Sequence, residues 1–135
     1  MTEPTTVPVT EAGPARQVVE RYFSAINAHR FAELGEVFAP EAEIHTVGRA
    51  PALGRAEALA HFPTVLAGYA EHHDAVTRWI ETEDAVVCEI HFTGRLRDGR
   101  PIVFDAVDLF DVRDGRIAKV STWYDTRALA RQIRG

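Results

Sequence analysis

The sequence predicts an α+β fold in which helices come first and an antiparallel meander of strands follows. Three observations carry the prediction. Apolar residues in the first half repeat every three to four positions, as "RQVVERYFSAIN" does, whereas from about residue 72 onward they alternate in twos. The alternating stretches are joined by "TED", "RDGR" and a second "RDGR", and Asp-Gly between alternating segments is a strong hairpin signal. The chain has 135 residues and 46% hydrophobic content, which suits one core and leaves little for a second. A curved sheet with helices on one face satisfies all three.

Each element has its own warrant. Pro14 suits a first helical position, and Val18, Tyr22 and Ile26 then repeat every four residues beside Val19 and Phe23, giving a helix over 14–29. Phe31, Leu34, Val37 and Phe38 form the stripe of a shorter second helix, stopped by Pro40. "EAEIHTV" (41–47) is strand-like. A third helix covers 54–70, kinked or split at Pro63. Strands follow over 72–81, 84–97, 100–112 and 116–125, and "TRALARQI" closes the chain as a helix capped by Asp125 or Thr126. Residues 1–13, rich in Pro, Thr and Glu, read as a mobile tail, and 14–135 as a single domain.

Composition narrows the function classes. A net charge of −5 with no block of like charges argues against nucleic-acid and anionic-membrane partners. A single cysteine, Cys88, excludes an internal disulfide and a thiolate-rich zinc site, and reads as a small core residue. His72 and His73 are adjacent in a strand and point to opposite faces, and His61 has no partner one turn on, so no metal site is expected. No apolar run is long enough to span a bilayer and no signal peptide is evident, so a cytoplasmic location is expected.

The candidate site comes from counting back through the hairpins. A two-residue loop at Asp98-Gly99 sets Glu89 opposite Asp108 and His91 opposite Ala106. A bulged turn at the second "RDG" sets Asp108 opposite Val120, Ala106 opposite Thr122 and Phe104 opposite Tyr124. One face then carries Glu89, His91, Thr93, Phe104, Asp108, Phe110, Val120, Thr122 and Tyr124: apolar walls with a few polar groups, as a small-molecule pocket needs. Two facing carboxylates cannot both ionise cheaply, which would place a titratable group near neutrality. The plainer alternative is a solvated face. A one-residue slip in the first hairpin would separate Glu89 and His91 from Asp108.

The layout, together with "RYFSAINAHRFAELGEVFAPEAEI", "LGRAEALAHF" and "DGRI…YD", resembles the SnoaL-like branch of the nuclear-transport-factor-two-like superfamily over residues 15–130. That superfamily includes ketosteroid isomerase, limonene epoxide hydrolase and polyketide cyclases. The resemblance implies a cone-shaped α+β barrel: three helices on a strongly curved antiparallel sheet that encloses a pocket. It places Tyr22 and Asp108 at the isomerase's oxyanion-holding Tyr and protonated Asp. The isomerase's base falls on Thr46, beside His45, so that base is missing. The epoxide hydrolase's Arg-x-Asp falls on Glu89-Ile90-His91 and its last Asp on Thr122, so that triad is missing too. The resemblance also turns the Glu89 and His91 face inward.

The expectation is therefore a cofactor-independent acid–base enzyme on a hydrophobic small molecule: a cyclase, an isomerase or a ring-opening hydrolase. His91, Asp108, Glu89 and Tyr22 would be catalytic, and Tyr124, Thr122, His45, Thr46, Phe104, Phe110 and Val120 would line the substrate. From another class, a non-catalytic ligand-binding or assembly domain of the same fold is the alternative, favoured if Glu89 and His91 meet bulk water. Val86, Cys88, Ile90, Phe92, Val107, Leu109 and Trp123 would form an outer face buried in a homodimer.

Overall fold

The computed structural model describes residues 12–135; the expected tail lies almost wholly outside them. In chain order, helix α1 (Pro14–Asn27) leads through a 3₁₀ turn (Phe31–Glu33) to α2 (Leu34–Val37). Then come β1 (Phe38–Thr46), β2 (Ala52–Leu53) and α3 (Arg55–Val65). Strands β3 (Tyr69–Glu81), β4 (Ala85–Leu96), β5 (Pro101–Arg113) and β6 (Arg116–Tyr124) precede α4 (Thr126–Arg134). The α+β class holds. The sheet, ordered β2-β1-β6-β5-β4-β3, differs from the expected antiparallel barrel in two respects: β1 pairs parallel with β6, and the sheet stays open.

Local chemistry explains the boundaries. The N-terminus of α1 receives no cap from its own segment; instead Glu81 on β3 accepts from Gly13 N and Arg16 N, both at 2.9 Å, tying helix to sheet. At the other end Arg30 N donates to Ala25 O and His29 N to Ile26 O, a Schellman closure with His29 at φ 59 where glycine is usual. Asn27 then clamps β3: its Nδ2 donates to Asp74 O (3.0 Å) and its Oδ1 accepts from Asp74 N (2.8 Å). Helix α2 stops at Val37, three residues before Pro40, which instead sits in β1 where the pairing with β6 skips from Phe38 to Glu43. Pro63 stays inside the last turn of α3, which ends at Val65 instead of running to 70.

The two "RDGR" turns exchange the geometries expected of them. In the first, Leu96 N donates to Arg100 O and Gly99 N to Leu96 O, with Gly99 at φ +95: a three-residue loop. Arg97 is drawn off the ladder because its N–H reaches Gly68 O (3.2 Å) and its Nε reaches Ala67 O (2.8 Å). The second pairs Arg113 with Arg116 across Asp114 and Gly115, at φ 53 and 74, the two-residue I′ turn. A bulge between Asp111 and Val112 then sets Asp108 opposite Thr122.

That one-residue difference in the first loop inverts β4 relative to β5. Glu89 pairs with Val107 and His91 with Asp105, while Ile90 meets Ala106 and Phe92 meets Phe104. Val86, Cys88, Ile90 and Phe92 are all buried against the helices, so they form core and not the outer surface expected of them. The outer face keeps Val107 and Trp123, 39% and 52% exposed. Under the helices, Phe38, Phe110, Leu34, Ile117 and Val120 are almost entirely buried.

Candidate active site

Between the helices and the inner face of the sheet lies a cavity of about 350 Å³. Ile26, Phe62, Leu66, Ile90, Phe92 and Phe104 supply apolar wall, and α4 adds Leu129 and Ile133. Helix α4 is capped by Asp125 Oδ1, which accepts from Ala128 N (2.9 Å). It is pinned to β5 by Gln132, whose Oε1 accepts from Val103 N (2.9 Å) while its Nε2 donates to Val103 O (2.8 Å). The polar lining is Tyr22, Thr46, Arg49, His61, Tyr69, Asp74, Asp108, Thr122 and Tyr124.

Asp108 sits midway along β5, flanked by Cys88 and Thr122, and is 5% exposed. Burial pushes its carboxyl up to about 7; the Thr122 hydroxyl pulls it partly back, and the charge of Asp74 raises it again. Its Oδ1 is buried with no hydrogen-bond partner among the described residues. Asp74, on β3 opposite Phe92, is pushed up to about 6 by burial, with His73 acting in the other direction. Tyr22 comes from the inward face of α1, with its ring 5.0 Å from Phe110 and 5.6 Å from Phe62. Burial, then the neighbouring Asp108, holds its phenol well above the ordinary value, so it remains a hydrogen-bond donor.

The structure brings together Tyr22, Asp108, Thr122, Tyr124, Thr46 and Phe104 from the sequence-derived set. It does not bring Glu89 or His91 to them. The expectation that their face turns inward is corrected: both lie on the outer sheet face, because the three-residue loop shifts β4 by one. There His91 Nδ1 contacts Asp105 Oδ1 at 2.8 Å, with side chains 46% and 84% exposed. These residues border a wider, open hollow of about 660 Å³ with Thr77, Val107 and Trp123. His45 also points away from the cavity, its Nε2 2.7 Å from Glu43 Oε1. Phe110 and Val120 lie behind the lining as core, 0% and 1% exposed.

Four polar cavity residues, Tyr69, Asp74, Arg49 and His61, are absent from the sequence-derived set. Asp74 lies within "EHHDAV"; its signal is its register opposite an apolar residue, legible only once β4 is turned correctly. Arg49 lies in a loop, and His61 carries no sequence signal beyond that of an unpartnered metal ligand. Burial, then Arg49, lowers the His61 imidazole below its usual value. His72 is buried and His73 exposed, and no group of three or more potential metal ligands occurs among the described residues.

A model of the SnoaL-like domain matches residues 19–120. No curated protein matches the chain. Among solved structures, an NTF2-like protein of unknown function from Burkholderia pseudomallei K96243 superposes with a TM-score of 0.84 at 18% identity, covering 92% of this chain and 100% of that one. An LEH-like epoxide hydrolase from M. tuberculosis gives 0.77 at 19% identity, covering 90% and 91%. IdmH, a proposed polyketide cyclase from Streptomyces antibioticus, gives 0.77 at 23% identity, covering 92% and 100%. At these identities the likeness is one of fold.

Proposed function

This chain belongs to the SnoaL-like domain family, and from that premise we propose that it is a cofactor-independent acid–base enzyme acting on an apolar small molecule. The observation that carries the reading is a pair of carboxyl groups, Asp74 and Asp108, raised to about 6 and about 7 and facing one largely apolar cavity. Two buried carboxyls that share one cavity resist ionising together, so one can serve as base while the other keeps its proton. Asp74 takes a proton from the carbon beside a substrate carbonyl. The C–H electron pair moves into the enolate, whose oxygen accepts from the protonated Asp108 and from the Tyr22 hydroxyl. Where a double bond is conjugated with the enolate, Asp74 returns the proton at the far (γ) carbon, which moves the double bond and gives isomerisation; otherwise the enolate carbon attacks a second carbonyl, closing a ring whose new alkoxide takes the proton that Asp74 holds. Asp74 thus takes the part that the family resemblance would have assigned to position 46, from another strand. Thr122 offsets part of the rise that burial causes at Asp108.

The test is proton exchange. 2-Tetralone, an apolar ketone with acidic α-hydrogens, is incubated with the protein in D₂O and followed by NMR. The wild type is expected to accelerate deuterium uptake, and Asp74→Asn, which removes the base, or Asp108→Leu, which removes the donor to the enolate oxygen, to lower the rate on the order of 10²-fold. A ketone that binds in the cavity without enhanced exchange would sink the enzymatic reading and leave a ligand-binding domain. A homodimer through the outer face carrying Val107 and Trp123 belongs to the same proposal, and light scattering at micromolar concentration checks it.

A further inference from the structure

Arg49 is the one arginine or lysine among the described cavity-lining residues. Six of the other thirteen arginines, at positions 16, 21, 30, 95, 100 and 113, lie within 3.5 Å of a carboxylate oxygen, and the remaining seven, none of which lines the cavity, do not among the described residues. The Arg49 side chain has no such partner among the described residues, although the protein carries a net charge of −5.

Its backbone is set by the cavity wall. Arg49 N donates to Thr46 O (3.0 Å), and Gly48 between them has φ +78, the conformation that the third residue of a type II turn requires. One residue earlier, Val47 N donates to Thr122 O (3.0 Å). Thr46 and Thr122 both line the cavity, so the turn that carries the guanidinium is anchored on two of its walls. The side chain is exposed at the rim, and His61 lines the same cavity. Burial, then the Arg49 charge, lowers that imidazole below its ordinary value and so favours the neutral form, which can donate or accept a hydrogen bond beside the cation.

We infer that the substrate is an apolar molecule with a carboxylate at the end that stays in the cavity mouth, held there by Arg49 with His61 beside it. This rests on the reading of the cavity as the substrate pocket. A guanidinium is planar and forked, and it pairs with a carboxylate through two parallel hydrogen bonds. One cation balances one negative charge. A more highly charged head, such as a phosphate, would sit uncompensated in a cavity whose other ionisable groups include Asp74 and Asp108. Anchoring one end at the rim would also fix which carbon of the apolar body reaches those carboxyls.

The experiment compares two probes of nearly equal shape, 2-naphthoate and 2-naphthamide, by fluorescence titration at pH 7. The wild type is expected to bind the naphthoate about tenfold more tightly, the scale of one charge-assisted pair. Arg49→Gln should bring the two affinities together by weakening the naphthoate far more than the amide, and Arg49→Lys should keep part of the preference. Equal affinities in the wild type, or a preference that survives Arg49→Gln, overturns the inference. If 2-tetralone exchange is catalysed while the naphthoate preference is missing, the acid–base reading stands and the anchored carboxylate falls. If neither probe binds, the pocket reading falls and the inference with it.

Discussion

Replacing Asp108 with Asn asks whether the carboxyl is as displaced as its surroundings require. The residue is 5% exposed, and burial lifts it from 3.8 to about 7. A rise of about three units, at about 1.36 kcal/mol per unit, corresponds to about 4 kcal/mol between the charged and neutral forms. The sign follows from proton counting. The unfolded chain releases this proton near its ordinary value, whereas the folded protein holds it until about pH 7. The stability due to Asp108 is therefore fully present below about pH 4, declines as pH rises, and is gone above about pH 7. Asn keeps the shape and has nothing to ionise. In urea denaturation at pH 4.5, 6 and 8, the variant should resemble the wild type at the lowest pH and exceed it at the highest by up to about 4 kcal/mol. Other titrating groups largely cancel in the difference. Thr122→Val, which removes the hydroxyl that favours the charged form, should move the wild-type decline to higher pH. A difference between Asp108→Asn and wild type that stays flat from pH 4 to 8 would show an ordinary carboxyl, and the proposed acid would lose its basis.

His91→Ala and Asp105→Asn disturb only an exposed pair, so each should cost under about 1 kcal/mol and leave 2-tetralone exchange at the wild-type rate; a large loss of exchange would return the chemistry to the outer face. Asn27→Ala removes both bonds to the Asp74 backbone and should cost about 1–3 kcal/mol in urea denaturation. Phe110→Ala, at a fully buried ring that packs on Tyr22 and Phe23, should cost about 3–5 kcal/mol by the same measurement.

Element order was legible because Pro14, the four-residue spacing of Val18, Tyr22 and Ile26, and the Asp-Gly pairs are local signals. Parity was harder. Nothing within either "RDGR" says which takes two loop residues and which three, since the choice in the first rests on Arg97 reaching Ala67 and Gly68, about thirty residues away. Yet β4 held the answer: Val86, Cys88, Ile90 and Phe92 are an unbroken apolar set, and burying them outweighs burying Glu89, His91 and Thr93. Matching that set to Ile102, Phe104, Ala106 and Phe110 on β5 yields the observed face without any turn assignment. Tyr22 and Asp108, which the resemblance reached through single elements, do line the cavity, whereas Glu89 and His91, whose orientation depends on register, do not. Arg49 was invisible because loop residues acquire neighbours only through tertiary packing.

The Gln132 contact has a consequence beyond holding a helix. Strand β6 ends at Tyr124, opposite Ala106, so among the described residues β5 continues toward Pro101 with no strand beside it on that flank. An unpaired stretch containing an exposed Val103 is a template on which an extended segment of another molecule can pair. The Gln132 side chain occupies that position as a counterfeit peptide, offering one acceptor and one donor to Val103 as a neighbouring strand would. The amide supplies both from two adjacent atoms, as a backbone peptide group does. Deamidation, or Gln132→Glu, keeps the length and the acceptor but sets a carboxylate against the Val103 carbonyl, so a change at one atom would reopen the edge to sheet-to-sheet aggregation.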